Sequence, residues 1–148
     1  MLTLGFVILV TINSFLAAPT VYKDCGSVKG KVLSVDISPC TTQPCQLKKG
    51  TKPQITIAYQ SLEQVSSGTA SVHGKLGPIS VPFPLPDEDL CKFSTPPCPI
   101  AANSNSTYSN SIEVLSSYPS LRVTVRWELL DSQSNDLVCV EMPVSIVD

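Results

Sequence analysis

The stretch "LRVTVRWEL" (Leu121–Leu129) shows the clearest alternation of apolar and polar side chains in the sequence. Its apolar members are Leu121, Val123, Val125, Trp127 and Leu129, and Arg122, Thr124, Arg126 and Glu128 lie between them. Successive side chains of a β-strand point to opposite faces, so this pattern buries one face and exposes the other. The stretch therefore predicts a half-buried β-strand.

The same period of two recurs along the chain and predicts six further strands. Their apolar positions are Leu33, Val35 and Ile37; Ile55, Ile57 and Tyr59; Ala70, Val72, Gly74 and Leu76; Ile79, Val81, Phe83 and Leu85; Ile112 and Val114, in a weaker form; and Val138, Val140, Met142, Val144 and Ile146. Turn-rich clusters such as "SSGT", "AANSNS" and "DSQSND" separate them, and no segment has a helical period. About seven short strands joined by turns predict an all-β sandwich.

One predicted strand, "PISVPFPLP" (Pro78–Pro86), carries a proline at every second position from Pro82 onward. Proline cannot donate a backbone hydrogen bond, and prolines of one parity remove donors from one side of the strand only. We therefore expect an edge strand whose apolar side chains Val81, Phe83 and Leu85 face inward. Such an edge is a place where two sheets can remain apart, although protection against aggregation would explain the prolines equally well.

The N-terminal residues 2–18 contain no charge and are mostly apolar. This pattern predicts a signal peptide over residues 1–18, cleaved near Ala17–Thr20, and a single mature domain over residues 19–148. A transmembrane helix is the alternative, but the apolar run is short and is interrupted by Thr11, Asn13 and Ser14.

The charge balance excludes one class of partner. Ten Lys and Arg residues stand against twelve Asp and Glu, a net charge of -2, so no basic face for nucleic acid is expected. Only 15% of residues are charged while 43% are apolar. We therefore expect some apolar side chains to have a role other than filling a closed core.

All the cysteines lie after the predicted signal peptide. They are Cys25, Cys40, Cys45, Cys91, Cys98 and Cys139. An even number in a secreted chain predicts disulfides, and six cysteines allow fifteen pairings. Short spacing favours two local pairs, Cys40–Cys45 and Cys91–Cys98, and elimination leaves Cys25–Cys139 as a long-range link. Zinc binding is the alternative, but the sequence has one histidine and no C-x-x-C.

The residues for common catalytic chemistry are missing. His73 is the only histidine and falls on the polar side of its strand, and no G-x-S-x-G is present. The acidic run "PDED" (Pro86–Asp89) is typical of a solvated loop. We expect no enzyme and no metal site.

The sequence "NST" (Asn105–Thr107) is an N-glycosylation sequon in a segment that reads as a polar loop. A signal peptide would bring this sequon to the glycosylation machinery, so we expect Asn105 to be modified.

Several motifs occur together in a distinctive order. They are "KDCGS" (23–27), "SPCTTQPCQLKKG" (38–50), "VHG" (72–74), "VPFPLP" (81–86), "YPSLRVTVRWEL" (118–129) and "CVEMPVSIV" (139–147). Across the whole mature chain this sequence resembles the lipid-recognition (ML) domain family, in its Niemann-Pick type C2 branch, also called epididymal secretory proteins.

The resemblance implies an immunoglobulin-like β-sandwich of two antiparallel sheets with a hydrophobic pocket between them. It implies a monomeric sterol carrier, secreted or in the lysosome lumen, with cholesterol as ligand and no cofactor. The implied partners are anionic lysosomal membranes and the membrane-bound Niemann-Pick C sterol transporter. The same three disulfides are implied.

The resemblance also assigns site residues. Phe83, Val114, Tyr118 and Trp127 fall on pocket-lining positions, with Val81, Ile112 and Leu121 nearby. The membrane or partner contact falls on His73, Gly74, Lys75, Leu76, Gly77 and Ile79. Lys75, Gly77 and Pro78 replace more apolar residues of the family in this loop.

Two other interpretations are open. A lipid-sensing innate-immune accessory protein of the same fold would bind acyl chains or lipid A. A secreted adhesion module would have no cavity, but the tryptophan of an immunoglobulin domain should come soon after the first cysteine of an inter-sheet pair, whereas Trp127 precedes Cys139 and no cysteine lies shortly before it.

Overall fold

A computed structural model describes residues 20–148, which form ten β-strands and no helix. The strands are β1 (Lys23–Asp24), β2 (Gly30–Ser38), β3 (Cys45–Lys48), β4 (Gln54–Ser61), β5 (Gly68–Leu76), β6 (Ile79–Phe83), β7 (Ser94–Thr95), β8 (Asn105–Ser111), β9 (Arg122–Asp131) and β10 (Asp136–Val147). Among these residues no helix is long and apolar enough to cross a membrane. The predicted signal peptide lies outside the described residues.

The strands form two sheets. Strands β1-β10-β9-β5-β6 are neighbours in that order, and β3 runs parallel to the far end of β10 to complete six strands. Strands β2-β4-β8-β7 form the second sheet, and every other pairing is antiparallel. The predicted all-β sandwich is confirmed.

The core lies between the inner faces of the sheets. Trp127 on β9 and Tyr108 on β8 are both fully buried, and their rings meet edge to face with centroids 5.9 Å apart. Because each residue belongs to a different sheet, this aromatic pair joins the sheets directly. Such a pair contributes about 0.5–1.5 kcal/mol beyond the area that it buries.

The phenol groups of the core are hydrogen-bonded and neutral. Burial raises the pKa of Tyr108 to about 12, and its hydroxyl accepts a hydrogen bond from Asn110 Nδ2 at 3.1 Å. Burial also raises the pKa of Tyr59, whose hydroxyl lies 3.4 Å from Ser94 Oγ. These bonds satisfy polar groups that would otherwise destabilise an apolar interior.

The proline-containing strand β6 pairs with β5 only and forms an edge of the six-stranded sheet, as its sequence predicts. Pro82 lies opposite His73, and the strand ends at Phe83, before the next proline. Leu85 follows the strand but still packs partly against the core.

The predicted inward position of Leu33 is wrong. A register shift between Val32 and Ser34 inserts one extra residue into β2 opposite β4. Such a bulge reverses the alternation, so Leu33 is 51% exposed while Val35 and Ile37 beyond the bulge are buried as expected.

The predicted strand at Ile112 and Val114 is also wrong, because these residues follow β8 without belonging to a strand. Strand β8 instead begins inside the cluster "AANSNS" that predicted a turn. The sequon at Asn105 therefore starts a strand and does not lie in a loop. Strands β1, β3 and β7 have two to four residues, too few for alternation to detect.

Three disulfides are present, and they match the pairing expected from the sequence. They are Cys25–Cys139, Cys40–Cys45 and Cys91–Cys98. The first closes a loop with a sequence separation of 114 residues and holds β1 against β10. In the chain-entropy description, closure of a loop of that size stabilises the fold by about 4.7 kcal/mol.

A pair of carboxyl groups lies beside the Cys25–Cys139 disulfide. Oxygens of Glu128 on β9 and Asp136 on β10 lie within 4.8 Å of each other and of Cys139 Sγ. Burial, together with a hydrogen bond to Glu128 and repulsion from it, raises the pKa of Asp136 to about 7. Partial burial opposes ionisation of Glu128, but hydrogen bonds from Asp136 and Arg126 keep its pKa below the ordinary value. Of the two carboxyl groups, Asp136 therefore favours the protonated form, and its buried Oδ1 has no other hydrogen-bond partner among residues 20–148.

The remaining charges around this pair modify the two pKa values without reversing the direction of either shift. Arg126 on β9 lowers the pKa of Asp136, and Asp24 on β1 raises it. His73 on β5 lowers the pKa of Glu128, and Glu141 on β10 is bound to Arg126 Nη1 at 3.4 Å.

The unfolded chain would release the Asp136 proton near pH 3.8, whereas the folded chain keeps it to about pH 7. The contribution to stability is therefore complete at low pH and lost as pH rises across that interval.

We predict that Asp136→Asn removes this pH dependence, because an amide donates to Glu128 at every pH. The measurement is the free energy of unfolding, from denaturant titrations between pH 4 and pH 8, taken as wild type minus variant. That difference should fall as pH rises. The control Gln54→Asn, on the opposite sheet, exchanges one neutral amide for another and should give a flat difference, and flat differences for both variants would contradict the account.

Candidate lipid-binding pocket

A small cavity lies between the sheets, under the end of β6. Its volume is about 20 Å³. The lining residues are Leu47, Val72, Phe83, Ile112, Val114, Tyr118, Val123, Val125, Val144 and Ile146. The hydroxyl of Tyr118 is the only side-chain polar group among them, so the cavity offers an apolar surface from the inner face of the six-stranded sheet and from the segment that follows β8.

A second, open cavity of about 160 Å³ lies directly outside the first. Its lining residues are Gly74, Leu76, Val81, Pro82, Phe83, Tyr118, Pro119, Leu121, Val123 and Ile146. Because Phe83, Tyr118 and two aliphatic residues line both spaces, the open cavity is the mouth of the inner one.

The rings of Phe83 and Tyr118 separate the mouth from the inner cavity. Their centroids are 5.1 Å apart in an edge-to-face contact. Phe83 lies over Gly74 of β5, where an added Cβ would stand 3.2 Å from the ring and 3.2 Å from Val123. A glycine at this position therefore allows the close approach of the ring, and a larger residue would require Phe83 and Val123 to shift.

The structure brings most of the predicted lipid-binding residues together. Ile112 and Val114 line the inner cavity, Val81 and Leu121 line the mouth, and Phe83 and Tyr118 line both. The exception is Trp127, which lines neither space and is fully buried against Tyr108. Its Nε1 has no hydrogen-bond acceptor in good geometry among residues 20–148.

Sequence reasoning missed several lining residues. Val123, Val125, Val144 and Ile146 have inward positions in correctly predicted strands, so the alternation itself contained the signal for them. Leu47 belongs to β3, which is too short to show a pattern, and no sequence signal identified it.

The predicted membrane contact lies on the hairpin that joins β5 to β6. Leu76, Ile79 and Val81 are exposed there, and Gly77 forms the turn with a φ of +59°. His73 is half-buried within β5. Gly74 is buried beneath Phe83, so it does not reach the surface.

A larger depression is an open groove of about 630 Å³. It shares Leu76 and Val123 with the mouth and is also lined by Lys75 and Arg122. Lys75 binds Glu141 at 3.2 Å, whereas Arg122 is exposed. This groove is shallow and partly charged, which suits a charged surface better than it suits a rigid apolar ligand.

No carboxylate, imidazole or thiol group lines the inner cavity. Glu128, Asp136 and Cys139 are close enough to one another to be considered as metal ligands, but Cys139 is bonded to Cys25 and cannot act as a thiolate. The arrangement can bind an apolar molecule.

Comparison with known proteins agrees with this geometry. The ML domain family matches residues 19–146. The chain belongs to the ML domain family. Its resemblance to the Niemann-Pick type C2 branch is confirmed by curated relatives that span almost the same length.

The NPC intracellular cholesterol transporter 2 of Danio rerio is 42% identical over 145 residues, which are 98% of this chain and 97% of that protein. The protein of the same name from Mus musculus is 44% identical over 130 residues, 88% of this chain and 87% of that protein. A crystal structure of a Niemann-Pick type C2 protein from the Japanese carpenter ant superposes with a TM-score of 0.79 at 27% identity, covering 86% of this chain and 99% of that chain.

We predict that Phe83→Ala weakens binding of a fluorescent sterol more than it weakens the fold. A buried phenylalanine in a close-packed core costs about 3–5 kcal/mol when it is truncated to alanine. Phe83 borders open space, so its loss should cost less stability, while ligand contacts disappear. Fluorescent-sterol titrations and denaturant unfolding of the same protein give the two quantities.

The matched control is Phe93→Ala. Phe93 is half-buried and meets Tyr108 edge to face at 6.3 Å, but it lines neither cavity. This variant should lose stability and keep the wild-type sterol affinity. Wild-type affinity in Phe83→Ala, with a large fall in its unfolding midpoint, would show that Phe83 belongs to the core alone.

Proposed function

We propose that the protein is a secreted or lumenal sterol carrier, which binds cholesterol or a related sterol between its sheets and passes it to membranes. The observation that carries this proposal is the apolar cavity that Phe83 and Tyr118 separate from an apolar mouth. The family relatives named as cholesterol transporters support the same ligand class and a role in transport.

A sterol needs more space than either cavity offers, since pockets for ligands of drug size start at roughly 300 Å³. The Phe83 and Tyr118 rings must therefore move apart as the ligand enters. Burial of roughly 400 Å² of sterol surface, at about 25 cal/mol/Å², gives about 10 kcal/mol before the costs of association. This gain exceeds the roughly 0.5–1.5 kcal/mol of the aromatic contact that is lost.

The polarity of the lining sets the orientation of the ligand. A hydroxyl without a partner in an apolar site costs about 1–3 kcal/mol on the scale of protein mutations. Apart from the Tyr118 hydroxyl, the inner cavity has no side-chain polar group. The alkyl tail of the sterol therefore enters first, and the sterol hydroxyl stays at the mouth.

The hairpin beside the mouth supplies the membrane contact. Leu76 and Ile79 are exposed next to Lys75 and Arg122, so apolar insertion and attraction to anionic lipid occur at one end of the sandwich. We propose that this end docks a monomer on anionic lysosomal membranes and on the membrane-bound Niemann-Pick C sterol transporter.

The conditions of a secretory and lysosomal route fit the chain. Three disulfides need an oxidising compartment, and the Glu128–Asp136 pair holds its shared proton best at acidic pH. The disulfides thus cross-link the fold, and the Glu128–Asp136 pair stabilises the folded state most at acidic pH.

An innate-immune accessory protein that binds acyl lipids is the second candidate. The observation in its favour is that a narrow, purely apolar cavity would also accept a single acyl chain. It differs from the first candidate in ligand shape, which binding competition distinguishes.

We predict that cholesterol displaces a bound fluorescent sterol at both acidic and neutral pH, because no carboxyl or imidazole group lines the inner cavity. A long-chain fatty acid should displace it only weakly, since a flexible chain loses more conformational freedom on binding. Displacement by acyl lipids alone would contradict the sterol proposal and favour the second candidate.

Lys75 should make transfer depend on membrane charge. A cation near an anionic surface gains about 1 kcal/mol. Lys75→Ala should therefore slow transfer of fluorescent sterol to phosphatidylserine vesicles about fivefold and leave transfer to neutral vesicles unchanged. Lys31→Ala, on the opposite sheet, is the matched control, and equal rates for the two variants on anionic vesicles would refute this contact.

A further inference from the structure

The outer face of the four-stranded sheet differs sharply from the outer face of the other sheet. On its central strands β4 and β8 the outward side chains are Gln54, Thr56, Ala58, Gln60, Asn105, Thr107, Ser109 and Ser111. None of these is charged, and only one is apolar. On the six-stranded sheet, by contrast, Arg126 and Lys75 both bind Glu141 through ion pairs.

The sequon lies on this uncharged part of the face, formed by β4 and β8, while the neighbouring β2 carries the exposed charges Lys31 and Asp36. Asn105 is the first residue of β8, is exposed, and lies opposite Gln60 of β4. Its side-chain amide has no hydrogen-bond partner among residues 20–148. Thr107 points to the same side two residues further on, while Ser106 between them is buried and donates to the Pro96 carbonyl oxygen at 3.0 Å.

We propose that Asn105 is N-glycosylated and that the glycan covers the outer face of the four-stranded sheet. The proposal rests on the secretory route of the proposed function, but not on sterol binding. The face presents hydroxyl and amide groups, which hydrogen-bond to sugar hydroxyls directly or through water.

The shape of the face also suits a sugar next to Asn105. Ala58, the smallest outward side chain on β4, lies between Ser34 and Thr107, so the surface is low beside the sequon. Strand β7 covers only two residues of β8, which leaves the Asn105 end of β8 without a strand partner on that side. A bulky, hydrated glycan at this end would block pairing with the edge of another molecule.

The position of the glycan leaves the lipid mouth free. Strand β8 runs from Asn105 to Ser111, roughly 20 Å at about 3.3 Å per residue, and leads into Ile112 at the inner cavity. The glycan therefore lies at the end of the sandwich far from Phe83 and Tyr118. Contacts with membranes or partners are directed to the mouth and to the charged sheet.

The first experiment tests the modification. The full chain, secreted from insect cells, should lose mass after treatment with peptide-N-glycosidase F, and the released site should read as aspartate at position 105. Thr107→Ser keeps the sequon and should behave in the same way, whereas Thr107→Ala should be secreted without the added mass. An unmodified wild-type protein would overturn the proposal, whatever its affinity for sterol.

The second experiment tests whether the glycan covers the outer face of the four-stranded sheet. Ala58→Cys places a thiol on the face, and a polyethylene-glycol maleimide measures its accessibility. Labelling should be severalfold slower in the Thr107→Ser background than in the Thr107→Ala background. Thr124→Cys, on the outer face of the other sheet, should label equally fast in both backgrounds. Equal rates for Ala58→Cys in the two backgrounds would show that the glycan points away from the face, and would overturn the covering part of the proposal.

Discussion

The edge-to-face contact between Phe83 and Tyr118 determines whether the space between the two sheets is one cavity or two. At this end of the sandwich, β6 is an edge strand, and the rings meet across the gap at 5.1 Å. An edge strand is attached on one side only, so its terminal residue can move without disrupting a ladder on both sides. The lipid site depends on this freedom, because neither space accepts a sterol while the rings are in contact.

The opposite constraint acts deeper between the sheets. Trp127 and Tyr108 are fully buried and in contact, and each is fixed within a central strand. The Cys25–Cys139 disulfide adds a covalent link along the six-stranded sheet near Trp127, since Cys139 is opposite Glu128. The sandwich is thus closed at one end and able to open at the other, which gives the ligand a single direction of entry.

Much of the fold could be predicted from the sequence because half-buried strands have a period of two. The alternation at β9 and β10 was sufficient to place Val123, Val125, Val144 and Ile146 on an inner face. The alternation failed at Leu33, where a bulge adds one residue to β2 and no residue type in the sequence indicates the bulge. It failed at β8 because the inward residues there include Ser106 beside Tyr108, so a buried strand has the composition of a loop.

Pocket residues were predictable only in part for a similar physical reason. Resemblance to the ML domain family identified Phe83, Val114 and Tyr118, but it could not tell a cavity wall from the packed core behind it, where Trp127 lies. That distinction depends on how closely inward side chains pack against residues that are distant in the sequence. The close approach of Phe83 to Gly74 is an example, and no local pattern contains it.

The central claim is that a sterol lies between the sheets, with its tail past Phe83 and Tyr118. The most direct test is photolabelling with a sterol that carries a photoreactive diazirine in its alkyl tail, followed by mass-spectrometric mapping of the labelled residues. The account predicts labels on inner-cavity residues such as Val114 and Ile112, and their loss in the presence of excess cholesterol. Labels confined to the exposed hairpin around Ile79, or to the outer faces of the sheets, would contradict it.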